Sequence, residues 1–331
     1  MKFLKNHLSP SEGKIIALGF FDGVHSGHRA VLSAADQEAR KRNKSLEVIT
    51  FYPHPRNFIT RSKIVKYLTP YSQKLLLFNS FFPESTLRFW RFNNHLRFLS
   101  PEEFIAILDK IYRPSAVFVG SNYHFGFKAS GNTSFLKKGL NKRGIDVKVI
   151  PSVKLDNAII SSSLIRSFLD EGLIEKANSA LGYPFFIIGK TRPGKKIGQK
   201  LGFPTGNIYP ASQKKLPKPG VYVGVAESWD QKIKQPALVY CGTKPSLPNS
   251  KKRQVIEFFI PDFPYQELYN QRFSIYLWKF LRPEITFSSL SELKQQILRD
   301  AECLKQYLHQ YPTVVNYNLN VTNWRCSSSW C

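Results

Sequence analysis

The sequence predicts two folded parts in series. An α/β domain on an open parallel sheet comes first. A small all-β domain, barrel or sandwich, follows and ends in a helix. Three observations carry this. Apolar strand-like runs alternate with amphipathic helical stretches over the first half of the chain. After Pro184 the runs are β-branched and aromatic, with Gly and Pro between them. The length, 331 residues, suggests two domains. The boundaries expected are 1–182, 183–310 and a loose tail over 311–331.

The elements follow in order. KIIALGF (Lys14 to Phe20) is a buried strand that ends in a Gly-containing turn. Ser26 to Asn43 is rich in Ala, Glu, Gln, Lys and Arg and reads as a helix, and LEVITF (Leu46 to Phe51) as the next strand. Ser100-Pro101-Glu102-Glu103 starts a helix with an N-cap Ser, Pro at the first helical position and a capping-box Glu. AVFVG (Ala116 to Gly120) is a strand, Thr133 to Arg143 a basic helix and Val147 to Ile150 a strand. Ser163 to Leu181 reads as one helix, stopped by Gly182-Tyr183-Pro184. FFIIGK, GVYVGVA, PALVYCG, QVIEFFI and FSIYLWKF are the strands of the second part. A final helix runs from about Ser291 to Gln310, with Ser289 and Glu292 as its capping box.

Composition narrows the function classes. Hydrophobic residues make up 42% of the chain, which supports a sizeable core. The four cysteines (Cys241, Cys303, Cys326, Cys331) form no CxxC pair and no zinc-ligand spacing. A reducing compartment fits them best. The opening MKFLKNHLSPSEGK lacks the apolar core of a signal peptide, and no run nears the roughly 18 apolar residues of a membrane span. The expectation is a cytoplasmic chain without a membrane partner. The formal net charge of +25 invites a polyanion. One segment concentrates it: Lys190, Arg192, Lys195, Lys196, Lys200, Lys214, Lys215 and Lys218 lie in a stretch without a single acid. That asymmetry suits a polyphosphate.

LGFFDGVHSGHRA (Leu18 to Ala30) places His25 and His28 around Gly27, where a strand gives way to a helix. Backbone N–H groups at a helix N-terminus favour an anion, and the helix dipole adds to that. The i, i+3 spacing puts both rings on one face, where they can donate to phosphate oxygens and stabilise a leaving pyrophosphate. Gly27 allows a close approach to the backbone. The alternative is a pair of surface histidines near a turn. ISSSLIR (Ile160 to Arg166) offers Ser161, Ser162, Ser163 and Arg166 at a helix start, a second phosphate clamp. Standing alone it would read as a Ser-rich N-cap.

FDGVHSGH resembles the nucleotidylyltransferase HxGH signature in the form used by the bifunctional bacterial riboflavin kinase/FAD synthetase family. TFYPHP (Thr50 to Pro55), VGSNYHFGFKASGN (Val119 to Asn132) and ISSSLIR are similar to further family segments, in the family's order. GKTRPGKKIGQKLGFPTGNI (Gly189 to Ile208) resembles the riboflavin kinase pattern, and FLRPE (Phe280 to Glu284) its C-terminal segment. The resemblance covers about Lys14 to Gln310. It implies a Rossmann-like nucleotidylyltransferase domain, then a small β-barrel riboflavin kinase domain with a C-terminal helix. The implied reactions are phosphorylation of riboflavin to FMN by ATP and adenylylation of FMN to FAD with release of pyrophosphate.

The resemblance also implies roles. His25 and His28 would be catalytic, with Gly19, Phe20, Asp22, Gly27, the three serines and Arg166 on the ATP phosphates. Gly189, Gly194 and Lys200 would serve ATP in the kinase half. Thr205 and Asn207, two neutral oxygens on one face of an extended segment, suit the Mg²⁺ carried by ATP. Glu257, a single acid inside an apolar strand, would take the proton from the riboflavin hydroxyl. Asn122 and Arg282 would meet the flavin, with a structural ion pair as the alternative for Arg282. Partners are then riboflavin, FMN and ATP, with no nucleic acid required and a monomer expected.

Departures from the pattern fall at Phe20 (Asn in a GNFDG form), Asn132 (Asp is usual), Gln199 (Arg) and Tyr240-Cys241 (Asn-Ile). They leave retention of a single activity as an alternative. A basic nucleic-acid binder on a nucleotide-binding fold is the rival from another class. It finds no RNP-like aromatic motif, zinc knuckle or GXXG loop.

Overall fold

The computed structural model describes residues 13–60, 64–193, 202–230, 233–244, 253–263, 270–317 and 319. The chain divides into two compact units, Met1–Ser161 and Ser162–Cys331.

In the first unit, β1 (Ile15–Leu18), β2 (Leu46–Tyr52), β3 (Thr86–Arg91), β4 (Ala116–Gly120) and β5 (Asp146–Ile150) form one sheet in the order β3-β2-β1-β4-β5. All pairings are parallel. The helices are α1 (Ser26–Lys41), α2 (Pro55–Ile59), α3 (Tyr71–Phe81), α4 (Asn94–Phe98), α5 (Pro101–Tyr112) and α6 (Thr133–Asn141). Covered on both faces, β1 is buried throughout, as its unbroken apolar run requires. Ile16, Leu18, Val117 and Val119 pack with Phe104, Ile105, Leu108, Leu136 and Leu140 of α5 and α6. The α1 helix buries Val31, Leu32, Ala35 and Ala39 and packs against β1 and β4. The expected capping box of α5 is complete, with Ser100 and Glu103 each bonding the other's backbone N–H. In this strand order the chain reverses direction of travel between β1 and β4. Ligands of open α/β sheets bind beyond the carboxyl ends of the strands at such a point.

The helix expected over Ser163 to Leu181 is instead two: α7 (Ser162–Glu171) and α8 (Ile174–Leu181). Gly172 breaks it at φ +84°. The Leu173 N–H bonds Phe168 O at 2.8 Å and the Gly172 N–H bonds Leu169 O at 3.3 Å. That is the Schellman ending, which helical periodicity alone hides because the apolar spacing continues past the break.

The second unit holds β8 (Phe185–Arg192), β9 (Thr205–Ile208), β10 (Gly220–Ser228), β11 (Lys234–Lys244), β12 (Arg253–Phe259) and β13 (Arg272–Pro283). (A two-stranded ribbon, β6 at Lys154–Leu155 and β7 at Ala158–Ile159, precedes it in the first unit.) They close a barrel in the order β10-β11-β12-β9-β8-β13, which decides between barrel and sandwich. The C-terminal helix α9 (Leu290–Gln310) packs against β11. Ser289 caps it by accepting from the Glu292 N–H. The Glu292 carboxylate bonds Ser288 rather than Ser289, so only half of the expected box forms. The stretch read as a loose tail opens with a 3-10 turn at Pro312–Val314 and buries Val314 and Leu319.

Candidate active sites

The first site is the loop from β1 to α1. His25 is the N-cap of α1, and its Nδ1 accepts from the His28 N–H at 3.3 Å. Nδ1 being an acceptor, the ring proton of the neutral form sits on Nε2. The His25 and His28 rings stack with centroids 3.5 Å apart and 19° between planes. The first turn of α1 has no acid to cancel its dipole. Burial, and then the charges of His25 and Lys74, hold His28 well below the usual histidine range. His28 is therefore a neutral imidazole at pH 7, a hydrogen-bond donor rather than a cation. Gly27 lies against this pair: a Cβ there would stand 3.2 Å from the His25 ring and 3.6 Å from Ile160 O. The same carbonyl belongs to the segment that leads into Ser161.

The rest of the loop is anchored from below. A Cβ at Gly19 would meet the Phe21 ring at 2.6 Å, so the glycine makes room for that side chain. Asp22 is 1% exposed, and its carboxylate accepts from the Leu68 and Thr69 N–H groups at 3.1 and 2.9 Å. It thus ties the loop to residues 68–69. Phe20, the departure from Asn, is packed by aromatic groups: His54 lies 4.2 Å away and Tyr67 6.2 Å, centroid to centroid. Its carbonyl accepts from Thr50 Oγ1 at 2.8 Å and Lys74 Nζ at 2.6 Å. TFYPHP is thereby explained in part, since Thr50 and His54 both wrap Phe20.

Lys74 is the residue that sequence reasoning missed. It sits near the start of α3, in QKLLLF, and is 3% exposed. Its only signal was a lysine inside an apolar helical run. Burial pushes its ammonium down to about 8, against the pull of Asp22. The sign of the stability effect follows. Below about pH 8 folded and unfolded chains both hold the proton, and the burial cost is full. Between about 8 and 10.5 the unfolded chain holds more protons, so stability rises with pH. Chemical denaturation at pH 7 and pH 10 should show the wild type gaining on Lys74→Met by up to about 3 kcal/mol.

At the carboxyl end of β4, a Cβ on Gly120 would stand 3.3 Å from Asn122 Oδ1, and Asn122 itself is exposed. Asn132 caps α6 by accepting from the Phe135 N–H at 2.9 Å, a task Asn performs as well as Asp. Ser162 opens α7, and the division between units falls between Ser161 and Ser162. Ser163 is exposed, and Ser161, Ser162 and Arg166 are half-buried.

The second site lies on the barrel. Asn207 pairs with Glu257 between β9 and β12, and Glu257 pairs with Tyr240 between β12 and β11. Directly paired residues share a face, as do residues two apart. Thr205, Asn207, Glu257 and Tyr240 therefore form one polar row. Thr205 Oγ1 donates to Glu257 Oε1 at 2.7 Å. The Tyr240 hydroxyl donates to Glu284, and burial, with that carboxylate, pushes the phenol's pKa up. Tyr240, the departure from Asn, thus connects Glu257's row to FLRPE. Gly189 sits in β8, where a Cβ would come 3.1 Å from Ile208. Gly194, Gln199 and Lys200 lie outside the described residues.

Arg282 forks onto Asp300 of α9, with Nε 3.0 Å from both oxygens and Nη2 2.7 Å from Oδ2. The ion-pair alternative for this residue therefore has its partner. Asp300 is 5% exposed, and losing one partner of a buried pair costs about 3–5 kcal/mol. Arg282→Met should lower the unfolding free energy of the second unit by about 3 kcal/mol in urea. The basic stretch is partly spent inside its own unit. Lys214 is buried with Nζ 4.1 Å from the Phe185 ring centroid, and Lys215 pairs with Asp170. Asp170 lies outside the acid-free stretch, which is why the sequence count overlooked it.

Comparison with known proteins identifies the family. The FAD synthetase family matches residues 8–164 and the riboflavin kinase family residues 181–308. A bifunctional riboflavin kinase/FMN adenylyltransferase of Buchnera aphidicola subsp. Schizaphis graminum is 36% identical over 297 residues, 89% of this chain and 94% of that protein. The Escherichia coli K12 protein of the same name is 32% identical over 90% of this chain and 94% of its own length. That of Bacillus subtilis strain 168 is 33% identical over 87% and 90%. A solved structure described as a macrolide-efflux protein from Streptococcus pneumoniae superposes with a TM-score of 0.80 over 95% of this chain and 97% of that one, at 24% identity. That likeness speaks to the fold alone. With both family matches in order along the chain, and these relatives matched over nearly their whole length, the chain belongs to the bifunctional riboflavin kinase/FMN adenylyltransferase family.

Proposed function

We propose that the chain makes FMN from riboflavin at the Thr205–Asn207–Glu257 row and FAD from FMN at the His25–His28 loop, with ATP as donor in both. The observation that carries this reading is the stacked histidine pair on a helix N-terminus at the sheet's switch point. The geometry suits a triphosphate better than a general polyanion.

In the first step Glu257 accepts the hydroxyl proton of riboflavin as that oxygen bonds the γ-phosphorus and ADP leaves. Thr205 orients the carboxylate by its hydrogen bond. In the second step a phosphate oxygen of FMN bonds the α-phosphorus of ATP, and the bond to pyrophosphate breaks. His25 and His28 donate to the phosphate oxygens as charge builds on the leaving group. Gly19, Phe20, Asp22 and Gly27 shape that loop. Ser161, Ser162, Ser163 and Arg166 are the second phosphate clamp on the strength of their sequence pattern. Gly189, Gly194 and Lys200 are assigned to ATP in the kinase half, and Asn122 and Arg282 to the flavin, on the same ground.

Mg²⁺ fits the oxygen-only donor set of the barrel row. Thr205 gives its proton to Glu257 and keeps lone pairs for a cation, with the Asn207 amide oxygen on the same face. The ion would supply charge neutralisation of the ATP phosphates. Among the described residues no helix is long and apolar enough to cross a membrane. A cytoplasmic monomer with small-molecule partners and no required nucleic acid is the form proposed. The proposed boundary at 182/183 draws support from the riboflavin kinase match, which begins at 181, while the compact units divide between 161 and 162.

Riboflavin, ATP and Mg²⁺ incubated with the pure chain should give FMN and then FAD on chromatography. FAD formation without passage through FMN, or no conversion at all, would overturn the order and the reading.

A further inference from the structure

We propose that Lys74 is a positioning residue for adenylyl transfer: its ammonium anchors the loop that carries the two histidines and holds a fixed positive charge behind them. The proposal rests on the reading of the His25–His28 loop as the adenylyl-transfer site.

Lys74 lies near the start of α3 and reaches the loop from below. Its Nζ donates to Phe20 O at 2.6 Å and approaches Thr50 Oγ1 at 3.4 Å. It also stands 4.2 Å from the centroid of the Phe20 ring. Among the described residues no carboxylate is hydrogen-bonded to it or paired with it. Asp22, the acid nearest in charge, points its oxygens at the Leu68 and Thr69 N–H groups and at the Thr69 hydroxyl. A buried ammonium held by neutral ligands is a costly way to build a core. Where a phosphate arrives, the same charge is an asset. It is already in place and needs no water to reorganise when negative charge grows.

The anchored atom is well chosen. Phe20 O precedes Phe21 at φ +52° and Val24 at φ +38°, left-handed conformations that non-glycine residues adopt only when their surroundings enforce them. Phe21 in turn packs its ring edge-on against His28, 5.4 Å between centroids. A chain of contacts thus runs from Nζ through Phe20 and Phe21 to the His28 imidazole. The titratable groups around Lys74 are Asp22 on the loop, His28 with His25 on α1, and His54 and Tyr67 flanking the Phe20 ring. Burial, then the charge of His25 and then that of Lys74, lower the basicity of His28 and keep that ring a neutral donor.

The test uses the full chain with Lys74→Met and Lys74→Arg. Lys74→Met should lower kcat for FAD formation from FMN by about 10- to 100-fold, less than the roughly 10²–10³ of a lost direct donor because Lys74 acts through the loop, with KM for FMN within about twofold. Riboflavin phosphorylation by the same protein should stay at the wild-type rate, and its first unit should melt no lower. Lys74→Arg keeps the charge at all pH values and should recover activity. It should also hold that activity above pH 8, where the wild type declines. Unchanged kcat in Lys74→Met would overturn the proposal. So would a loss accompanied by a lower melting point and no recovery in Lys74→Arg, the mark of a merely structural lysine. His25→Asn and His28→Ala separate the two levels. If they spare FAD formation, the reading of the site falls. If they abolish it while Lys74→Met does not, only the role of Lys74 falls.

Discussion

Glu257→Gln should stop the conversion of riboflavin to FMN, lowering kcat by about 10²–10⁴, the range of a lost general base. The amide keeps the shape of the carboxylate and can still accept from Thr205 Oγ1, now 2.7 Å away. It cannot take a proton. The barrel should therefore stay folded, and the defect should lie in kcat rather than in ATP binding. FMN supplied to the same variant should still become FAD at the wild-type rate. Steady-state kinetics with riboflavin and with FMN as separate substrates check both halves. Loss of less than about threefold with riboflavin would remove Glu257 from the role of base.

The second large effect is expected at the histidine pair. His28→Ala should lower kcat for FAD formation by about 10²–10³, as removal of a donor to a developing oxyanion does. His25 needs a gentler change, because its ring also caps α1. Asn is a strong N-cap, so His25→Asn removes the imidazole while keeping the helix start. His25→Ala should cost a further ~1 kcal/mol of stability from the lost cap. A pre-steady-state measurement of pyrophosphate release would locate the loss in the chemical step. Riboflavin phosphorylation should be untouched in all three variants.

Most of the architecture was legible because it is written in local patterns. Ile15–Leu18 and Ala116–Gly120 are continuous apolar runs, and such runs become central parallel strands. Ser100-Pro101-Glu102-Glu103 encodes a helix start in its own side chains, and the capping box formed as written. The break at Gly172 was not legible, since one glycine at a helix end looks like one glycine within a helix until its φ is known.

The sites divide in the same way. His25, Gly27 and His28 are close in sequence, so their stacking follows from helix geometry. Glu257 and Thr205 are 52 residues apart and meet only because β9 and β12 pair in one register. A sequence motif supplied each partner, but not the hydrogen bond. Lys74 lay beyond reach for a different reason. It is far from every motif in the chain, and its placement depends on the tertiary packing of α3 under the β1–α1 loop. The Asp300 partner of Arg282 was hidden likewise, 18 residues on and in another element. Side chains that act through the fold leave little trace in local spacing.

The central claim is that the chain holds two separate sites, one for each reaction, and that free FMN passes between them. The direct test is complementation. Glu257→Gln and His25→Asn are each incubated with riboflavin, ATP and Mg²⁺, first separately and then together. Separately, the first should leave riboflavin unchanged and the second should stop at FMN. Together they should make FAD after a lag in which FMN accumulates. A mixture that makes no FAD, while the first variant still converts supplied FMN and the second still makes it, would contradict the claim.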